Sequence, residues 1–287
     1  MKELAVLERG VGPDATEDRY WRRSTMSERT TEEIREAIRR NYKGIAESGP
    51  GGASCCCASS CCGQDRDSAT DELAVTLGYA VDDLEQAPQG ANMGLGCGNP
   101  LAIASLRPGE TVLDIGSGGG FDAFLAAQAV GGEGQVIGVD ATPEMVRKAR
   151  RLAAEHGYEN VEFRLGEMEN LPVADGAVGV IISNCVINLS SEKSRVFHEL
   201  FRVLRPGGRL AVSDVVATAE LPEAIKQDLT LYSSCIAGAC TIDELEAMLT
   251  EAGFVGTAIR PKEESKTFIR EWAPGMRADE LVVSAMI

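Results

Sequence analysis

The sequence predicts an α/β protein built on a doubly wound, mainly parallel sheet. Three observations point there: β-rich runs alternate with helical patterns from Thr111 onward, a glycine-rich loop joins the first of these runs to a helix, and an acidic residue ends the second. The expected strands are Thr111 to Ile115, Gln135 to Val139, Val161 to Leu165, Val178 to Ser183 and Gly208 to Ser213. The expected helices between them are Asp122 to Val130, Pro143 to His156 and Ser191 to Leu204, the last stopped by Pro206-Gly207-Gly208.

Outside this core the pattern is different. Residues before about 30 lack hydrophobic periodicity and are expected to stay loose. Thr30-Thr31-Glu32-Glu33 then resembles a capping box opening a helix through Ile34, Ile38 and Tyr42. The small-residue run from Ser48 to Ser54 precedes five clustered cysteines and reads either as a mobile thiol-bearing lid or as a disordered linker. Helical stretches at Ala69 to Leu77 and Asp82 to Leu84 lead into the glycine-rich loop Gly90 to Pro100. After Asp214, helices are expected at Pro222 to Tyr232 and at Thr241 to Ala252, where Thr241 and Glu244 form a second capping box. Leu281 to Met286 reads as a closing strand.

Composition narrows the function. The chain has 287 residues, 44% of them hydrophobic, enough for a large core with appendages, and a formal charge of −16. A nucleic-acid surface needs a basic stripe, and none is visible. No apolar run approaches the roughly 20 residues that span a bilayer, and the first 25 residues carry charges throughout rather than the apolar centre of a secretory signal. A soluble cytoplasmic protein with neither a nucleic-acid nor a membrane partner is expected. Nine cysteines, an odd number without an export signal, argue for free thiols rather than a disulfide framework.

The loop Val112-Leu113-Asp114-Ile115-Gly116-Ser117-Gly118-Gly119-Gly120 lies where open α/β sheets bind nucleotides. The dinucleotide pattern fails, because its third glycine would fall on Phe121. Asp114 would repel a pyrophosphate but can accept hydrogen bonds from the ammonium of a methionine moiety, which favours S-adenosylmethionine over NAD. Asp140 can accept both ribose hydroxyls, although an Asp before Pro143 also suits a helix N-cap. Glu167, or the backbone of Met168, stands where an adenine amino group would be met. Ser117 and Asn184 complete the expected cofactor contacts. The spacing of Asp114, Gly116, Gly118 and Asp140 predicts a class I, Rossmann-like S-adenosylmethionine methyltransferase core.

Cys185 follows the fourth strand at the edge where such sheets bind substrates, and Cys97 and Cys235 are flanked by small residues that allow close approach. Each alone could be a small buried hydrophobe. The chain resembles the arsenite methyltransferases from about Thr31 to Phe254, through Gly94-Leu95-Gly96-Cys97-Gly98-Asn99-Pro100, Val112 to Asp122, Asp140 to Met145, Ser183 to Leu189 and Cys235-Ile236-Ala237-Gly238-Ala239. The resemblance implies that Cys97, Cys185 and Cys235 bind As(III). It also implies that residues 55 to 62 supply a further thiol, with Cys61 and Cys62 as candidates, and that Cys240 is extra to the pattern.

The expected organisation is an N-terminal helical, cysteine-bearing segment (1–68), a methyltransferase domain (69–215) and a C-terminal substrate-capping region (216–287). The expected reaction is arsenite methylation, with glutathione or thioredoxin regenerating the site. The rivals are a methyltransferase of a small organic acceptor and a thiol-based arsenic- or metal-binding protein without turnover. His156 and His198 fall in expected helices and are read as structural or exposed.

Overall fold

A computed structural model describes residues 7–9, 28–48, 66–272 and 281–287. Its elements are β1 (Leu7–Arg9), α1 (Glu28–Ser48), α2 (Arg66–Leu77), α3 (Val81–Gln86), α4 (Leu101–Ala104), β2 (Thr111–Ile115), α5 (Phe121–Val130), β3 (Gln135–Asp140), α6 (Pro143–Glu155), β4 (Val161–Leu165) and β5 (Val178–Asn184). There follow α7 (Lys193–Val203), β6 (Leu204–Ala217), α8 (Glu223–Lys226), α9 (Leu229–Ser233), α10 (Ile242–Ala252), β7 (Phe254–Val255), β8 (Arg260–Lys262), α11 (Lys266–Trp272) and β9 (Val282–Met286).

The strands form one sheet in the order β4-β3-β2-β5-β6-β1-β7, with β9 paired to β6 and β8. Strands β2 to β6 are mutually parallel where they pair, whereas β1, β7, β8 and β9 are joined antiparallel. Chain order reverses between β2 and β5, so the loops after these two strands diverge and leave a crevice at their carboxyl ends.

Both faces of the sheet are covered, which explains the near-continuous apolar strands. Side chains alternate along each strand: Leu113 and Ile181 join α7 and α10 on one face, while Val112, Val180 and Ile182 join α5 and α6 on the other. A third apolar cluster lies over the carboxyl edge and gathers Ile34 from α1, Leu231 and Tyr232 from α9, Ile269 from α11, and Cys97, Cys185 and Cys235. No helix among the described residues is long and apolar enough to cross a membrane.

Several sequence expectations are corrected. The first helix starts at Glu28, two residues before Thr30, and Leu7–Arg9 is a strand paired with β6 and β7 rather than loose chain. Strand β6 runs through Pro206-Gly207-Gly208 from Leu204 instead of starting at Gly208, and the short helix α4, which had no signal in the sequence, follows the loop that ends at Pro100. The helix expected from Pro222 to Tyr232 is two short ones, because the Asp228 carboxylate accepts from the Thr230 and Leu231 amides and starts α9 afresh. The capping box at Thr241 and Glu244 and the closing strand are both present.

Candidate active site

The crevice at the β2/β5 switch point is a pocket of about 1310 Å³ including its open mouth. Its floor is the loop after β2, where Gly116, Gly118 and Gly120 take left-handed backbone conformations that a side chain would strain. Asp114, Gly116, Ser117, Gly118, Asp140, Glu167, Met168 and Asn184 all line it, as does Cys185. The lid is α1, through Arg35, Ile38, Arg39 and Tyr42.

Among the described residues, Asp114 Oδ2 and Ser117 Oγ are the buried side-chain oxygens and nitrogens with no hydrogen-bond partner. A buried polar atom left bare is costly, so both point to a polar ligand in the pocket. Burial, then the neighbouring Asp122 and Asp140, push the Asp114 carboxyl well above the usual range. Asp122 is raised to about 6 by burial, and burial also raises Asp140. Three crowded acids at a pocket wall invite a cation. The orphaned Asp114 and Ser117 atoms, the glycine cradle and the acidic wall fit S-adenosylmethionine, which carries both ammonium and sulfonium charge.

Asp140 Oδ2 accepts from the Gly118 amide at 3.0 Å and Oδ1 from the Thr142 amide at 2.8 Å. The N-cap of α6 is Thr142, not Asp140, so the aspartate ties the glycine loop to the start of the next helix. The Glu167 carboxylate accepts from Arg39 of α1, and its neighbour Glu169 pairs with Arg35 at 3.5 Å.

Of the three expected cysteines, Cys185 lines this pocket, and Cys97 and Cys235 belong to the same buried cluster behind it. Cys185 Sγ is within interaction range of both Cys97 and Cys235. Cys97 Sγ, Cys185 Sγ and a carboxylate oxygen of Asp214 lie within 4.8 Å of one another. The Cys235 thiol donates to the Cys185 carbonyl at 3.0 Å. Cys185 and Cys235 have φ of 56° and 61°, and only Ser105 among the other described non-glycine residues is also positive. Such conformations are uncommon for residues with a Cβ and cluster at functional sites. Close contact with the other two thiols, then burial, raises the Cys185 thiol well above its ordinary value, and Cys235 is raised by burial against the pull of its Cys185 bond.

Sequence reasoning missed Asp122, Tyr79, Ser213 and Asp214. Asp214 follows Ser213 late in β6, and its oxygens take the Ile187, Asn188 and Val215 amides and Asn188 Nδ2, fixing the turn after Cys185. An acidic residue near the carboxyl end of a parallel strand was the available signal. Cys61 and Cys62, with the rest of the 55–62 cluster, lie outside the described residues. Cys240 is half-buried and lines a separate small pocket with Lys193 and Tyr232. His198 Nδ1 contacts the Ser194 carbonyl within α7, and His156 is the exposed C-cap of α6.

This fold and glycine loop define the class I methyltransferases, and a family described as a methyltransferase domain matches residues 106–253. The chain is 52% identical to an arsenite methyltransferase of Halobacterium salinarum over 91% of its own length and 68% of that protein. It is 43% identical to the arsenite methyltransferase of Aquipseudomonas alcaligenes over 55% of its length, spanning 47% of that relative. A crystal structure of an arsenic(III) S-adenosylmethionine methyltransferase from Chlamydomonas reinhardtii superposes with a TM-score of 0.56 at 30% identity, covering 76% of this chain and 72% of that one. The chain belongs to the arsenite methyltransferase family, and S-adenosylmethionine is its cofactor.

Proposed function

We propose that the chain methylates trivalent arsenic held by the thiolates of Cys97, Cys185 and Cys235. The observation that carries this reading is the convergence of three buried thiols, two on left-handed backbone, beside a pocket walled with acids. Arsenic(III) is thiophilic, as soft metals are. Arsenite arrives as a neutral trihydroxide. At each cysteine the S–H proton leaves with an arsenic hydroxyl as water while an As–S bond forms. Three sulfurs fill the arsenic valences and leave its lone pair.

The acidic wall would hold the cofactor, with Asp114 and Ser117 toward the amino acid portion, Asp140 toward the ribose, and Glu167 or the Met168 backbone toward the adenine. When bound, S-adenosylmethionine supplies an electrophilic methyl on a sulfonium, for which the arsenic lone pair is the nucleophile. No acid or base is required of the chain at that point, and its contribution is proximity and orientation. Methylation raises arsenic to the pentavalent state, and two electrons from two glutathione thiols or the dithiol of thioredoxin, which leave as a disulfide, return it to the trivalent state. We assign the division at 68 and 215 to these roles: cysteine-bearing segment, cofactor domain and substrate cap, in a cytoplasmic enzyme.

The test is arsenic speciation after incubation with arsenite, S-adenosylmethionine and glutathione. Methylated arsenicals are expected, and Cys185→Ser and Cys235→Ser should each abolish them while the cofactor still binds. Arsenic bound without cofactor consumption would replace this reading with sequestration.

A further inference from the structure

The segment from Gly94 to Asn99 has no regular hydrogen bonding of its own, yet Cys97 is 1% exposed. Its position is imposed from outside. The Cys97 amide donates to Asn184 Oδ1 at 3.1 Å, and Asn184 Nδ2 donates to the Gly98 carbonyl at 2.9 Å. On the other side Ser284 Oγ donates to the Cys97 carbonyl at 2.7 Å.

The Asn184 amide is itself oriented. Nδ2 donates to Tyr79 Oη at 3.0 Å and to Asp122 Oδ2 at 3.1 Å, and the Tyr79 hydroxyl donates to Asp122 Oδ1 at 2.6 Å. Reversed, the amide would turn its oxygen to the Gly98 carbonyl and the Asp122 carboxylate and its NH2 to the Cys97 amide, losing those three bonds. A side chain at Gly96 would bring a Cβ to 2.7 Å from Nδ2, which shows how closely the loop backbone is seated. Asp122 lies in the first turn of α5, directly after the cofactor loop, and Cys185 is the next residue after Asn184.

We propose that Asn184 is a positioning residue that fixes Cys97 beside Cys185, so that arsenic is held by three sulfurs rather than two. The inference rests on the three-thiol reading above. Inorganic arsenite has three exchangeable hydroxyls and monomethylarsenite has two. A displaced Cys97 therefore slows the first substrate more than the second, whereas weaker cofactor binding or general loosening slows both alike.

The experiment compares the full-length wild type, Asn184→Ala and Cys97→Ser at saturating S-adenosylmethionine. It measures initial rates on both arsenicals and counts sulfurs around arsenic by X-ray absorption of the arsenite-loaded protein. Both variants are expected to show two sulfurs in place of three, and the ratio of arsenite to monomethylarsenite rates should fall about tenfold, as for loss of a buried hydrogen bond. Three sulfurs and a wild-type ratio in Asn184→Ala, with two sulfurs in Cys97→Ser, overturn the positioning role alone. Three sulfurs in Cys97→Ser remove Cys97 from the arsenic shell and overturn both readings. Should Asn184→Ala lack a cooperative melt, Tyr79→Phe decides the matter: a ratio shifted in the same direction supports the role, and an unchanged ratio overturns it.

Discussion

Asp140 does not cap α6 but ties the glycine loop to the start of that helix, and the proposed ribose contact would add to this. Its oxygens already hold the Gly118 and Thr142 amides, and the remaining lone pairs are available to ribose hydroxyls. Asp140→Ala is expected to weaken cofactor binding by about 2–4 kcal/mol, for two lost hydrogen bonds to a charged acceptor, while As(III) binding persists. Calorimetry with S-adenosylmethionine, beside As–thiolate absorption, checks this; unchanged cofactor affinity would confine Asp140 to its loop contacts. The acid cluster makes a second prediction. Burial raises Asp122 to about 6 and Asp114 well above the ordinary carboxylate range, so the empty pocket retains protons that a cationic cofactor displaces. Binding should therefore release protons to the buffer, and affinity should fall as the pH drops through about 6. Binding enthalpies that are identical in buffers of different ionisation enthalpy would refute the linkage.

Among the elements, α1 is the one whose attachment can be apportioned. Ile34, Ile38, Tyr42 and Ile45 face the molecule at helical spacing, and Ile34 is only 2% exposed. Around them Arg35 pairs with Glu192 at 2.8 Å, Lys43 approaches Glu144 at 3.7 Å, and Arg39 meets Glu167. The Arg39 and Glu167 side chains are 42% and 38% exposed, so their pair is worth under about 1 kcal/mol, whereas a buried Ile→Ala costs roughly 2–5. Ile34→Ala should accordingly raise the KM for S-adenosylmethionine and lower the melting midpoint far more than Arg39→Ala does; the opposite ranking would make α1 an ionic latch. The stripe of α1 was legible in the sequence, as were β2 to β5 and the glycine loop, because local periodicity and turn chemistry specify them. The splitting of α8 from α9 at Asp228 and the reach of β6 through Pro206 were not. An Asp caps a new helix only if the chain turns there, and Pro206 fits a strand only because its neighbours make the pairing. Cys97, Cys185 and Cys235 could be named from flanking residues and from the family resemblance. Asp122 and Tyr79 could not, because they are tied to the site by hydrogen bonds to Asn184, a contact between segments distant in sequence.

For the whole molecule, the arsenic-binding role proposed for Cys185 and Cys235 sets activity against heat resistance, because both stand on left-handed backbone. Each non-glycine residue in that region costs on the order of 1–3 kcal/mol, out of a total stability of roughly 5–15. Glycine would occupy both positions without that cost. The inactive pair Cys185→Gly and Cys235→Gly is therefore expected to unfold at a higher denaturant concentration than Cys185→Ala with Cys235→Ala, by about 1–2 kcal/mol after the greater chain freedom of glycine is set against the relieved backbone. A glycine pair less stable than the alanine pair would show that the surrounding hydrogen bonds already absorb the distortion. If the order is as expected, stabilising this enzyme by screening on melting temperature alone would select against its own thiols, and thermal ranking of variants would have to be read beside an arsenic assay.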